Sequence, residues 1–304
     1  MAEGPDAGGA AVLSTYLGRW MSLLLLLVLV ALAAAALFLG PDYPAHVPLR
    51  IGVCAFDSVT AGPALSSFAS SVRERDGGDI TWVWLDPGTE PEGCDFYIMT
   101  YPQMIVSRAK EEKKCILLAT SRVDGSLTMG VVIVRGGTEP DWSSTAFTSR
   151  ISATGFISPL AAIAENGVMP SDLSFDLLSG GNPICGEAVV FGVLLGRYSA
   201  GGLSLEEFRR LERSGMTGPG ELRTLLTGPT LPEILLVSDP STEDWKSSGF
   251  VRRLTSIAGS LPDPLAREMA RLGMASFRIP EEGELDLPGT VPAEVWRTAG
   301  YHFP

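Results

Sequence analysis

Histidine is nearly missing from this chain: His46 and His302 are the only two in 304 residues. One lies in a proline-containing linker and the other at the far end, so a Ser-His-acid or Cys-His set has no base within the patterned region. Cysteine is almost as scarce, at Cys54, Cys94, Cys115 and Cys185. No pair has Cys-x-x-Cys spacing, so nothing reads as a metal site. No glycine-rich phosphate loop of the Walker type occurs either. Basic residues number 23 against 35 acidic ones, a net charge of −12. That balance argues against nucleic acid as a partner, because phosphate backbones select basic surfaces. A small ligand stays open, since a cleft can be locally positive on an acidic protein. These absences point away from an enzyme, a metal or a cofactor. Paired catalytic carboxylates stay open as well, although no spacing suggests them.

What the chain does have begins with an apolar run. Residues 21–40 carry no charge, and 23–39 are almost unbroken Leu, Val and Ala. A helix of that length spans the roughly 30 Å of a bilayer's hydrocarbon core. We expect a membrane anchor here. A cleaved signal peptide is the alternative, because Ala33-Ala34-Ala35-Ala36 can host an Ala-x-Ala cut. No cysteine follows closely, which argues against lipoprotein processing. Arg19 before the run favours an N-terminus on the cytoplasmic side. Residues 1–20 then form a short tail and 41–48 a linker.

Beyond the linker, apolar strands alternate with helical spacing. Strands are expected at 49–54, 80–85, 94–99, 114–119 and 127–134, with helices over 63–75 and 103–111. After Gly136-Gly137 the pattern restarts. It runs through a helix at 155–166 closed by Gly167, a strand at 175–178, and helices at 187–195 and 206–213. A strand at 235–238 and helices at 250–261 and 264–272 follow, and the Pro- and acid-rich 281–304 reads as a surface wrap. Such alternation predicts an α/β protein with mostly parallel sheets and helices on both faces. Two units are expected: a first lobe from 49–134 plus 235–304, and a second lobe from 135–234. Strands 127–134 and 234–238 are the candidates for crossing between them. Ligands in such folds bind at the carboxyl ends of strands, between the lobes.

Cys54, Cys94 and Cys115 sit in or beside strands and read as small core residues. A Cys54–Cys94 disulfide is the alternative in an oxidising compartment.

Four stretches carry a resemblance. They are Leu49-Arg50-Ile51-Gly52-Val53, the run Cys94-Asp95-Phe96-Tyr97-Ile98-Met99-Thr100-Tyr101-Pro102, the run Ile151-Ser152-Ala153-Thr154-Gly155-Phe156-Ile157-Ser158-Pro159, and Leu235-Leu236-Val237-Ser238-Asp239-Pro240. With them the chain resembles the phosphate/phosphonate-type substrate-binding proteins of ABC transporters. The third stretch is similar to that family's Ser-Thr-Ser-Gly-aromatic-x-x-Pro motif and is the most specific. The resemblance implies a two-lobed type II periplasmic-binding-protein-like fold outside the cytoplasm. It also implies a small oxyanion as ligand (phosphate, phosphite or phosphonate-like) and an ABC permease as partner.

A helix start offers free N–H groups and partial positive charge, and small hydroxyl residues add donors. Ser152, Thr154 and Gly155 are therefore the candidate anion cradle, with Tyr101 and Phe56 as cleft walls. The alternative for Ser152 and Thr154 is plain helix capping, and for Tyr101 and Phe56 plain core packing. Asn182 falls where the family has a histidine, which leaves a hydrogen-bond donor without charge. Ser199 falls where the family has an acid. These departures favour a second reading: a membrane-anchored sensory or structural module with a degenerate ligand site.

Overall fold

The computed structural model describes residues 48–76, 78–86, 93–111, 114–178, 182–258, 261–285 and 291–301. The expected anchor at 21–40 lies outside the described residues. Among the described residues no helix is long and apolar enough to cross a membrane.

The chain opens with strand β1 (Leu49–Val53), helix α1 (Ser58–Asp76), and strands β2 (Ile80–Trp84) and β3 (Phe96–Thr100). Asp57 precedes α1 and accepts from Thr60 N at 2.7 Å, so this acid works as a helix cap. Helix α2 (Tyr101–Glu111) and strand β4 (Lys114–Thr120) complete the first passage through the first sheet. Strand β5 (Thr128–Arg135) then belongs to a second sheet, with β6 (Thr145–Phe147), β7 (Phe175–Leu177), β8 (Ala200–Ser204) and β9 (Leu222–Leu231). The return strand β10 (Ile234–Ser238) wedges between β3 and β4, and β11 (Ser276–Arg278) closes the edge beside β4.

The first sheet runs β11-β4-β10-β3-β1-β2 and the second β7-β6-β8-β5-β9. Both are mixed rather than mostly parallel. In the first, β1 pairs parallel with β2 and β3, while β10 and β11 pair antiparallel. In the second, β6 pairs parallel with β7 and β8, while β5 pairs antiparallel with β8 and β9. Two crossings join the sheets, one between Thr120 and Thr128 and one between Leu231 and Ile234. The sequence pattern groups 49–134 in one lobe. The structure places β5 in the second sheet, because its partners β8 and β9 come later in the chain.

Those partners are hard to read as strands. Strand β8 is Ala-Gly-Gly-Leu-Ser, and its glycines exist for close packing. A Cβ on Gly201 would sit 2.5 Å from Val189, and one on Gly202 would sit 2.4 Å from Phe147. Strand β9 carries Gly228 and Pro229, tolerable because β9 lies at the sheet edge.

Helices α3 (Ser158–Glu165), α4 (Glu187–Leu194) and α5 (Leu205–Arg213) cover the second sheet, and α6 (Asp244–Ala258) and α7 (Asp263–Arg271) belong to the return passage. A last short helix, α8 (Ala293–Thr298), overturns the surface-wrap reading of 281–304. Its Val295 and Trp296 are buried. They join an apolar cluster with Met99, Tyr101 and Met104 from one lobe and Val132, Phe147, Phe156 and Leu160 from the other. Cys54 and Cys94 lie in the same cluster, and no disulfide joins them. The Trp296 ring packs 6.4 Å from Tyr101 and 6.0 Å from Tyr301. An aromatic anchor of this kind is worth several kilocalories. Trp296→Ala is accordingly expected to lower stability by about 3–5 kcal/mol in urea unfolding of the full chain. A loss below about 1 kcal/mol would return this segment to the surface.

Candidate functional site

The helix start expected to hold an anion is buried between the lobes. It opens with one wide turn, Ala153–Ile157, before α3. Ser152, with extended backbone, precedes that turn, and its Oγ accepts from Gly155 N at 2.8 Å. Thus Ser152 does cap the helix. Gly155 has no room for a side chain: a Cβ would lie 2.0 Å from Thr148 Oγ1. Here the glycine answers to packing.

The remaining donors converge on one group, the carboxylate of Glu233. Ala153 N donates to Glu233 Oε1 at 3.2 Å, and Thr154 N and Thr154 Oγ1 both donate to Oε2 at 2.6 Å. Glu233 sits in the second crossing, between β9 and β10, and is only 7% exposed. Its main-chain carbonyl accepts from Tyr101 N at 2.9 Å, at the junction of β3 and α2. One residue therefore ties the first lobe by its backbone and the second by its side chain. The space beside it is about 20 Å³, lined by Thr120, Leu127, Thr128, Thr154, Leu231 and Glu233 among others. That is room for about one water.

The other candidates lie apart from this contact or around it. Tyr101 is wholly buried, and its hydroxyl donates to Leu285 O at 3.4 Å. Phe56 is 2% exposed and packs in the first lobe's own cluster with Leu65 and Phe68. Asn182 accepts from Ile184 N at 3.2 Å and donates to Arg271 O at 3.3 Å, across the lobe boundary. Ser199 accepts from Asp141 N and donates to main-chain carbonyls of the same turn. The structure brings Ser152, Thr154 and Gly155 together and leaves Phe56 and Asn182 at a distance from them.

Sequence reasoning missed Glu233 altogether. The available signal was slight: a lone acid in Leu231-Pro232-Glu233-Ile234-Leu235, where every neighbour is apolar or proline. Among the described residues no group of His, Cys, Asp and Glu is arranged to hold a metal ion.

The pattern of the ABC-transporter phosphonate periplasmic substrate-binding proteins matches residues 98–278, more than half of the chain. The chain belongs to this family. The phosphonate-binding family consists of substrate-binding transport proteins of the periplasm, not enzymes. Solved structures agree on the fold. A binding-protein component of an ABC phosphonate transporter from Pseudomonas aeruginosa superposes with a TM-score of 0.59 at 14% identity, over 80% of this chain and 84% of that one. PhnD1 from Prochlorococcus marinus, in complex with methylphosphonate, gives 0.60 at 14% identity over 84% and 99%. XAC2383 from Xanthomonas citri, bound to chloride, gives 0.58 at 15% identity over 83% and 99%. No curated protein matches the chain by sequence. At the expected cradle, Ser152–Gly155, a carboxylate of the chain's own meets the donors.

Burial pushes the Glu233 carboxyl up to about 7, against the pull of its donors on Thr154, Ser152 and Ala153. Its ordinary value is 4.5. A group with a raised folded-state pKa stabilises most below its unfolded value, and that stabilisation fades as pH rises through the folded one. The window here is pH 4.5 to about 7. Wild type should lose up to about 3 kcal/mol across it relative to Glu233→Gln. Melting both proteins between pH 4.5 and 8 checks this, and parallel curves would contradict it.

Proposed function

We propose that this chain is a phosphonate-family binding module whose oxyanion cradle is satisfied from within, and that it works as a membrane-tethered sensory or structural module. The observation that carries this reading is the Glu233 carboxylate on the donors of Ala153 and Thr154. A phosphonate would need those donors. It would also need more space than the roughly 20 Å³ beside them. Asn182 and Ser199, both engaged with backbone, fit a site that no longer reads a ligand's amine or hydroxyl. The tether is the apolar run at 21–40, read from sequence. Family membership places the working domain outside the cytoplasm.

Carriage of a small oxyanion to an ABC permease is the second reading. Family membership favours it, as does the survival of the donor set at Ser152 and Thr154. In that reading Glu233 leaves the cradle before the solute enters. The relative from Prochlorococcus marinus was solved with methylphosphonate, which makes that compound the natural probe.

Calorimetric titration of the full chain in detergent separates the two. Wild type is expected to give no heat with methylphosphonate, phosphate or phosphite at concentrations up to about 1 mM, where any useful carrier would be saturated. Glu233→Ala empties the cradle and leaves buried donors unpaired, so its melting temperature should fall. Methylphosphonate at millimolar concentration should then restore several degrees of it by mass action. Tight binding by wild type would overturn the module reading in favour of carriage.

A further inference from the structure

A larger cleft, about 340 Å³, opens between the lobes beside the cradle. It shares Ser121, Ile184 and Ser204 with the small cavity next to Glu233, so the two spaces adjoin. One wall is α5, which presents Glu206, Glu207, Arg210 and Arg213. The other is α7, which presents Arg267 and Arg271. Four guanidinium groups face two carboxylates, a local excess of two positive charges on a chain whose net charge is −12. An isolated positive cleft on an acidic protein concentrates anions.

The carboxylates are already matched on their own side. Glu207 pairs with Arg210 at 2.7 Å, and Glu187 joins Arg210 at 3.0 Å. Glu206 pairs with Arg213 at 3.0 Å and with Arg122 at 3.5 Å. On α7 the situation differs. Among the described residues neither Arg267 nor Arg271 is in an ion pair, and both side chains are exposed. They stand four residues apart and so share one helix face. The Ser121 hydroxyl, also on the lining, is buried without a hydrogen-bond partner. The Asn182 bond to Arg271 O braces the second lobe against the end of α7.

Two guanidinium forks one turn apart suit the oxygens of a phosphoryl group, which accept bidentate pairs. Ile184 and Ala270 supply apolar wall for an organic remainder. The volume falls within the range of small-molecule sites, roughly 300–1,000 Å³. We propose that this cleft is an anion site, separate from the cradle, that takes a soluble phosphomonoester with its phosphoryl group between Arg267 and Arg271. Ser121 donates a further hydrogen bond to it. The inference holds whether the cradle is closed by Glu233 or not.

The test is calorimetric titration of the full chain in detergent with ribose 5-phosphate. A dissociation constant below about 1 mM is expected. Arg267→Glu combined with Arg271→Glu should weaken it by about tenfold or more. A control of equal charge change, Arg209→Glu with Arg252→Glu, lies at exposed positions outside the cleft and should shift it less than about twofold. Should the first double variant fail to fold by circular dichroism, Arg267→Gln with Arg271→Gln replaces it. No heat from wild type, or equal loss in both double variants, overturns the site. Flotation with phosphatidic-acid vesicles in the absence of heat from ribose 5-phosphate would also overturn it, because the ligand would then be a lipid headgroup.

Discussion

A carboxylate inside a protein needs donors, and the start of a helix has donors without partners. Glu233 and the turn at Ala153–Ile157 meet both needs in one contact. The rest of the interface follows from it. Because Glu233 also accepts from Tyr101 N, the contact sets the distance between β3 and α3. Within that distance Tyr101, Phe156, Leu160 and Trp296 pack into one continuous apolar cluster. The lobes are therefore joined by a polar clasp with an apolar rim. Neither part would hold alone: an unpaired buried carboxylate is expensive, and an apolar face between lobes needs something to fix its register.

This chain has a helix N-terminus between its two lobes, where fixed N–H dipoles attract negative charge. The negative charge that meets those dipoles is on a residue of the second crossing, Glu233. An intramolecular carboxylate acts at an effective concentration in the millimolar range or higher. A solute must beat that concentration as well as replace the hydrogen bonds. A family match is therefore compatible with a cradle that the chain fills itself. The fold records ancestry, and the site decides use.

Much of the architecture was legible in the sequence. Strands β3 and β10 are nearly continuous apolar runs because both of their faces are covered, and such runs stand out. The helix after Ser152 was legible through its hydroxyl-rich start and its stop at Gly167. Strands β8 and β9 were not, because their glycines serve neighbours rather than the strand itself. With those partners invisible, β5 was assigned to the wrong side of the first crossing. Helix α8 was missed because six residues are too few to show a period, and the prolines around it read as a surface tail. Glu233 was illegible for a different reason. Nothing about one acid before a strand tells which of many donors it will reach, since its partners are about 80 residues away in sequence.

The position of Glu233 also constrains how the molecule can move. Two-lobed binding folds open by rotation about their crossing segments. Glu233 is itself in the second crossing, so the hinge cannot turn far without drawing the carboxylate off Thr154. Three hydrogen bonds to Glu233 close this hinge, each contributing about 0.5–3 kcal/mol according to its ionisation. A ligand shifts such an equilibrium only by its differential affinity for the two states. An oxyanion entering the cradle gains the same donors that Glu233 loses, so its differential affinity is close to zero at best. On the proposed reading, closure is set by the chain's own carboxylate. A solute that leaves this contact intact has to bind at a site that Glu233 does not occupy.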